Sequence, residues 1–149
     1  MTERLHEQEG FCGPGVIQRI ASCEGMAFSQ SELAQIMKTT NREGTSQKNL
    51  HEGSKSIGLK AFQLKGLEIE ELSTLLEHHY IVVNWMDGPN DKDDGHYSLL
   101  DRVENGIVYL NDAVMPVNEF EEKWYDFEEG KRVDRWSLIV WKKMGSLHL

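Results

Sequence analysis

The apolar periodicity of this chain changes near Tyr80, and that change limits the folds it can adopt. Before Tyr80, apolar residues recur every three to four positions, which is the spacing of amphipathic helices. After Tyr80, apolar runs separated by turn signals predict strands. Helices followed by hairpin-linked strands indicate an α+β fold with an antiparallel sheet, because a parallel sheet would need alternating βαβ units.

Four segments before Tyr80 have helical spacing. Pro14 is expected to be the first helical residue of the first segment, and Gly25 ends it. Ser29 and Glu32 have the spacing of a capping box for the second. The residues expected to face inward are Val16, Ile17, Ile20 and Ala21, then Leu33, Ile36 and Met37, then Leu50 and Ile57, and finally Ile69, Leu72, Leu75 and Leu76 in a fourth helix over residues 68–78.

The second half is dominated by predicted strands. Residues 80–85 form a continuous apolar run, which is typical of a buried strand. Asn105-Gly106 is a strong signal for a two-residue hairpin turn. The predicted strands of this half are 80–85, 96–103, 107–110 and 136–141, with a short helix over residues 118–124, and one further short strand is predicted earlier, over residues 59–64.

The chain length and net charge limit the organisation and the partners. With 149 residues, it is expected to form one domain over residues 1–149, with a flexible N-terminus at 1–7 and a C-terminal tail at 142–149. The net charge of −9, with no basic stripe, disfavours nucleic acid. A neutral or basic peptide suits this charge better. The oligomeric state stays open.

The sequence shows no sign of export or of membrane insertion. No apolar stretch approaches the length of a membrane span, and the N-terminus lacks the pattern of a signal peptide. The cytoplasm is therefore the expected location. If one helix carries both Cys12 and Cys23, they lie about 16 Å apart, whereas a disulfide needs Cα atoms within about 7 Å. We expect two free thiols.

Cys12 is the candidate nucleophile. It stands where the first helix begins, and the peptide dipoles of a helix N-terminus favour the negatively charged thiolate. The backbone N–H groups there can also hold an oxyanion. The alternative is a buried, inert cysteine, which is the usual state of a free thiol. Cys23 lies within the predicted helix, and inert packing is the interpretation we favour for it.

His96 is the histidine best placed to act as a base. It follows a polar loop and opens an apolar strand, whereas His6, His51, His78, His79 and His148 lie near the termini or on helices. A hairpin that turns at Asn105-Gly106 would bring His96 and Asp112 near the same end of two strands. An acid there could hold the imidazole in one tautomer. The alternatives are a half-buried strand histidine and an Asn111-Asp112 turn.

Six short motifs in this order resemble the bacteriocin-processing (double-glycine) peptidases, which belong to the papain-like group. The resemblance covers about residues 8–125. The ordered set is more specific than the Cys-Gly-Pro motif alone. The motifs are Cys12-Gly13-Pro14, Gly44-Thr45-Ser46, Ile57-Gly58-Leu59, Ile81-Val82-Val83-Asn84-Trp85, Gly95-His96-Tyr97 and Leu110-Asn111-Asp112.

The resemblance implies a papain-like fold and cleavage of a peptide bond without a cofactor. It implies Cys12 as nucleophile, His96 as general base and Asp112 as the orienting residue. A glutamine normally lies six residues before the cysteine and completes the oxyanion hole. That position is His6 here, so the candidate is Gln8, four residues upstream. No transporter segment follows, so a stand-alone member is expected.

Three other functions stay open at this stage. The altered spacing of Gln8 suits an inactive relative that binds a peptide or a partner protein. A Cys–His–Asp set also suits acyl transfer or hydrolysis of a small amide, because water or an amine can resolve an acyl-enzyme. A metal site would draw on His78, His79, Asp93, Asp94 and His96, whose spacing matches no known zinc pattern.

Overall fold

The computed structural model describes residues 11–90 and 94–143, which fall into two compact units. The first unit comprises residues 11–61 and 141–143 of this range. The second comprises residues 62–90 and 94–140. The single-domain organisation inferred from the sequence stays a prediction.

The first unit is helical. Its helices are α1 (Cys12–Cys23), α2 (Gln30–Ile36) and α3 (Gln47–Ser56). Gly25 follows α1 with φ +81°, a conformation that ends a helix at little cost for glycine. The capping box is present as predicted, since the Ser29 side chain accepts a bond from the Glu32 N–H and the Glu32 carboxylate accepts one from the Ser29 N–H.

Two expectations for these helices are wrong. Pro14 is the third residue of α1 rather than the first, since the helix begins at Cys12. Proline is tolerated there because the N–H groups of a first turn have no partner within the helix. Ile36 is 39% exposed, whereas Ala34 is buried with Leu33. The short α2 buries a narrower face than its spacing suggests.

The second unit contains an antiparallel sheet. Its elements are β1 (Ala61–Leu64, whose first residue belongs to the first unit), α4 (Ile69–Leu75), β2 (His79–Met86), β3 (Gly95–Glu104), β4 (Ile107–Leu110), β5 (Val114–Pro116), α5 (Val117–Lys123), β6 (Tyr125–Glu128), β7 (Lys131–Asp134) and β8 (Ser137–Trp141, whose last residue belongs to the first unit). Among the described residues the main sheet has the order β1-β8-β2-β3-β4-β5, and β6 pairs only with β7.

The core of this unit draws on the sheet and on both short helices. Trp124 is 1% exposed, and its indole N–H donates to the Trp136 carbonyl oxygen at 3.1 Å. Strand β2 is buried from Ile81 to Met86, as its continuous apolar run predicted. The core residues are Leu67, Ile69, Leu72, Ile81, Val83, Trp85, Leu100, Val108, Leu110, Met115, Phe120, Trp124 and Ile139.

The hairpin of β3 and β4 turns at Asn105-Gly106, as predicted, with φ of 55° and 77° at the two turn residues. Leu100 pairs with Leu110, but Arg102 pairs with Tyr109. One extra residue, Asp101, therefore forms a β-bulge in β3. Leu100 and Val103 are three positions apart, so in a regular strand they would point to opposite faces. The bulge places both side chains against the core.

Several element bounds differ from those predicted. Helix α4 ends at Leu75 rather than at residue 78, and α5 begins at Val117. Strand β5 and the β6–β7 hairpin were not predicted from the sequence. Within the described residues, no helix is both long enough and apolar enough to cross a membrane.

Candidate active site

The structure brings His96 and Asp112 together, as we expected from the predicted hairpin. The His96 Nε2 atom lies 2.6 Å from the Asp112 Oδ2 atom. The two side chains are 25% and 39% exposed, so the pair lies at the surface of the second unit and is accessible to a reactant. A carboxylate can only accept a hydrogen bond, so the neutral His96 ring has its proton on Nε2. Nδ1 is then the ring atom that can accept a proton.

The pairing of β3 with β4 explains this contact. Leu100 lies opposite Leu110, the last residue of β4. The same register continued for two more residues places Ser98 opposite Asp112, in agreement with the hydrogen bond between their side chains. His96 shares a face with Ser98 and is therefore a diagonal neighbour of Asp112, within reach of a long side chain. Asn111 holds the chain in this register, since its N–H donates to the Leu99 carbonyl at 2.9 Å and its side chain accepts from the Leu99 N–H at 2.7 Å.

The buried Ser98 side chain, which the sequence did not single out, contacts the same carboxylate, and the buried Trp85 side chain contacts Ser98. The Ser98 hydroxyl donates to Asp112 Oδ1 at 2.7 Å and accepts from the Trp85 indole N–H at 2.9 Å. Ser98 is fully buried and Trp85 is 2% exposed. The Trp85 ring also meets the His96 ring edge to face, with centroids 5.8 Å apart.

Side chains of β2 and β6 hold the main chain of His96 in place. The Asn84 side chain donates to the His96 carbonyl oxygen at 3.1 Å and to the Asp126 carboxylate at 2.9 Å. A Cβ atom on Gly95 would overlap that carboxylate, so the residue before His96 must be glycine for Asp126 to keep this position. The β6–β7 hairpin thereby contributes to the site.

The carboxyl of Asp112 ionises more readily than an ordinary aspartate. Burial opposes its ionisation and is the largest single effect. The hydrogen bonds from His96, from Ser98 and from the Asp112 backbone N–H, with the charge of His96, together outweigh burial and hold the pKa of Asp112 below its ordinary value of 3.8. The group is therefore a carboxylate at neutral pH.

Cys12 is the first residue of α1 and is half-buried, in the position that the sequence predicted. Gly13 lets the helix begin close to its neighbours, since a Cβ there would lie 2.9 Å from Thr45 Oγ1 and 3.2 Å from Leu50 Cδ1. The inert packing expected for Cys23 is wrong. Cys23 is the last residue of α1 and is exposed. Both cysteines are free, as predicted.

Among the predicted catalytic residues that the structure describes, only His96 and Asp112 lie in the second unit. Cys12 belongs to the first unit, whereas His96 and Asp112 belong to the second, so their union in one site is a proposal. Gln8 lies outside the described residues. No group of three or more His, Cys, Asp or Glu side chains could hold a metal within residues 11–90 and 94–143, and Asp93 lies outside that range.

The sequence was compared with protein families and with curated proteins. The sequence profile of the peptidase C39 family matches residues 4–128, which is most of the chain. The comparison with curated proteins finds no match.

Solved structures of peptidase domains have the same fold. The peptidase domain of Streptococcus ComA, a bifunctional ABC transporter involved in quorum sensing, is 20% identical with a TM-score of 0.69, over 89% of this chain and 91% of that one. A C39-like peptidase from Bacillus anthracis is 16% identical with a TM-score of 0.66, over 89% and 88%. A double-glycine-motif protease from an AMS/PCAT transporter, in complex with the leader peptide, is 16% identical with a TM-score of 0.64, over 87% and 84%. The fold is papain-like, as predicted.

Proposed function

Because this chain belongs to the peptidase C39 family, we propose that it cleaves a peptide bond with Cys12 as nucleophile, His96 as general base and Asp112 as the residue that orients His96. Family membership supports a function of the cysteine-peptidase type. The residue roles are carried by one observation, the 2.6 Å hydrogen bond between His96 Nε2 and a carboxylate. That bond directs Nδ1 of the neutral ring to accept a proton.

The first half of the proposed reaction forms an acyl-enzyme. His96 Nδ1 takes the proton of the Cys12 thiol, and the thiolate attacks the peptide carbonyl carbon. The C–N bond of the resulting tetrahedral intermediate breaks, and His96 returns the proton to the leaving amine. The acyl group stays on Cys12 as a thioester. Asp112 stabilises the imidazolium without becoming protonated itself, which agrees with its lowered pKa.

The second half regenerates the thiol. His96 takes a proton from a water molecule, whose oxygen attacks the thioester carbonyl. The C–S bond breaks, the carboxylic acid leaves, and Cys12 recovers its proton from His96. In both halves we propose that the Cys12 backbone N–H and the Gln8 side chain hold the oxyanion. An N–H group at the start of a helix has no partner in the preceding turn, which leaves it available for this role.

The proposed substrate is a peptide or a segment of a protein. The double-glycine-motif protease of similar fold was solved with its leader peptide bound, which supports a peptide substrate for this chain as well. The net charge of −9 favours a neutral or basic peptide over an acidic one. Two free thiols suit a reducing compartment, and we propose the cytoplasm.

The alkylation rate of Cys12 tests the proposed pair of thiol and imidazole. Iodoacetamide is applied across a pH series to the native chain and to His96→Ala, and mass spectrometry reads the two cysteines separately. Cys23 is the internal control, since it is an exposed free thiol on the same helix. We expect Cys12 to react well below about pH 7, where an ordinary thiol is largely protonated. That advantage should disappear in His96→Ala.

A Cys12 that follows Cys23 at every pH would contradict the assignment. The chain would then be better described as a peptide-binding relative without catalysis.

Incubation with a degenerate peptide mixture tests the reaction itself. Mass spectrometry should find fragments with new termini, and Cys12→Ala should give none. An added primary amine separates hydrolysis from acyl transfer, since transfer would yield the amide of the N-terminal fragment. Amide as the main product would replace the peptidase assignment with an acyltransferase.

A further inference from the structure

The Ser98 hydroxyl lies between a buried indole and the carboxylate that holds His96. An indole N–H can only donate a hydrogen bond, so Ser98 must act as acceptor towards Trp85. A hydroxyl has a single proton, and the Ser98 proton is directed to Asp112 Oδ1, 2.7 Å away. Trp85 therefore fixes which way the hydroxyl points.

We propose that Ser98, held by Trp85, is a positioning residue that keeps the Asp112 carboxylate ionised and turned so that its other oxygen faces His96. This inference rests on the proposed peptidase function. Ser98 has no contact with substrate in this scheme and acts only through Asp112.

The burial of these groups supports a positioning role. Ser98 is fully buried and Trp85 is 2% exposed, whereas Asp112 is 39% exposed and follows the end of β4. A partly exposed carboxylate on a bend has rotational freedom that a buried partner can remove. Each carboxylate oxygen has its own donor, Ser98 for Oδ1 and His96 for Oδ2, so a turn of the group breaks both bonds.

A purely structural role is the competing explanation. In that case Ser98 only satisfies the buried indole N–H, and its loss lowers stability without changing the ionisation of Asp112. Ser137 offers a matched control, because it is also a fully buried serine in the second unit. Within the described part of the chain, its hydroxyl has no hydrogen-bond partner.

The test compares Ser98→Ala with Ser137→Ala in the full chain. The pH titrations of the Asp112 carboxyl and the His96 imidazole are followed by NMR without substrate. In Ser98→Ala the titration of Asp112 should move to higher pH, because its charged form loses a donor. In Ser137→Ala it should stay where it is in the native chain. With a cleaved peptide, kcat of Ser98→Ala should fall about tenfold with KM little changed.

Two further variants separate positioning from folding. Ser98→Ala leaves the Trp85 N–H without its acceptor, which is itself destabilising. The double variant Trp85→Phe/Ser98→Ala removes both partners and should fold better while the titration of Asp112 stays shifted. Ser98→Thr restores a hydroxyl and should return the titration towards the native one.

The outcomes distinguish this inference from the peptidase assignment. An unshifted Asp112 titration in folded Ser98→Ala and in the double variant overturns the positioning role, even if the native chain cleaves peptides. A shifted titration in a chain that cleaves nothing supports the action of Ser98 on Asp112 and overturns the peptidase assignment instead.

Discussion

At the scale of the residue, opposing effects determine the ionisation of Asp112. Burial favours its neutral form, while the donors His96, Ser98 and its own backbone N–H favour the carboxylate and prevail, so its pKa in the folded chain lies below 3.8. A group with a lowered pKa binds its proton more weakly in the folded state than in the unfolded state. It therefore contributes stability at pH values above its ordinary pKa and loses that contribution as the pH falls through the folded value.

The first prediction follows from the lowered pKa of Asp112 in the folded state. The stability advantage of the native chain over Asp112→Asn should shrink as the pH falls below 3.8, because asparagine does not titrate. Urea unfolding midpoints of both chains would be measured from about pH 5 downwards, where an ordinary imidazole is already protonated. Parallel curves for the two chains would contradict the lowered pKa of Asp112.

Two glycines in the first turn of α1 should respond differently to alanine. A Cβ on Gly13 would press on Thr45 and Leu50, both buried, whereas a Cβ on Gly15 has its nearest neighbour, Gln30 Nε2, at 4.0 Å. Gly13→Ala should therefore cost about 1–3 kcal/mol of stability through overpacking. Gly15→Ala should be neutral or should gain up to about 1 kcal/mol from helix propensity.

Urea denaturation of the two glycine variants checks this difference, and each variant is the control of the other. Equal gains in both would mean that the start of α1 is not closely packed. A loss confined to Gly13→Ala would give the glycine after Cys12 a steric reason that is independent of catalysis.

At the scale of the element, the bulge at Asp101 lets one strand serve both the core and the site. His96 and Val103 are seven positions apart, so an unbroken strand would face them to opposite sides. The extra residue puts His96 and Leu100 on the face that Val103 and its partner Val108 share. The His96–Asp112 pair thus stands at the end of the core-facing side of β3 and β4.

Removal of the bulge should cause a conflict between the two ends of this hairpin. If Asp101 is deleted, the side chains on one side of the bulge must change faces. Either Val103 and Val108 near the turn, or His96 and Leu100 at the other end, would then point away from the core. Exposure of Val108 alone costs at least about 1.5 kcal/mol. We expect the deletion to lower the urea midpoint clearly. Asp101→Ala is the matched control, because it removes only an exposed ion pair with Arg102 worth at most about 1 kcal/mol.

The NMR titration of Asp112 would show which end of the hairpin gives way in the deletion variant. A deletion that leaves both the stability and that titration native would show that the bulge does not determine the faces.

The elements that the sequence predicted carry strong local signals, and those it missed depend on distant contacts. Asn105-Gly106 identified the hairpin turn, because both residues favour the positive φ that this turn requires. The position of the turn predicted that His96 lies near Asp112. The β6–β7 hairpin turns at Glu129-Gly130, also at positive φ, but each strand has only four residues and β7 contains a single apolar residue, Val133. The hairpin is bonded to distant segments instead, since the Asn84 side chain donates to Asp126 at 2.9 Å and the Gly66 N–H donates to the Asp134 carbonyl oxygen at 3.2 Å.

The candidate site was predictable to the same extent. Position and resemblance singled out Cys12, His96 and Asp112, because their residue types are chemically conspicuous. Ser98 was not conspicuous, since a serine in an apolar strand has no chemical signal until the strand register is known. Trp85 stood in one of the quoted motifs, but without a role. The register depends on the bulge at Asp101, which no residue pattern identifies in advance.

At the scale of the whole molecule, the net charge of −9 should influence which peptides are cleaved. An anionic protein raises the local concentration of cationic substrates and repels anionic ones. This effect acts through solvent and is screened over about 30 Å at 0.01 M salt but over about 3 Å at 1 M. It can therefore be separated from contacts inside the site, which salt screens much less.

The last prediction uses peptides that share one cleaved segment and differ only in flanking residues, lysine in one, glutamate in another and glutamine in a third. At low salt, kcat/KM should be highest for the lysine-flanked peptide and lowest for the glutamate-flanked one. The glutamine-flanked peptide should depend least on salt, and at high salt the three values should converge. A lysine preference that survives 1 M salt would point to a specific carboxylate in contact with the peptide. A preference for glutamate would mean that local groups outweigh the field of the whole chain.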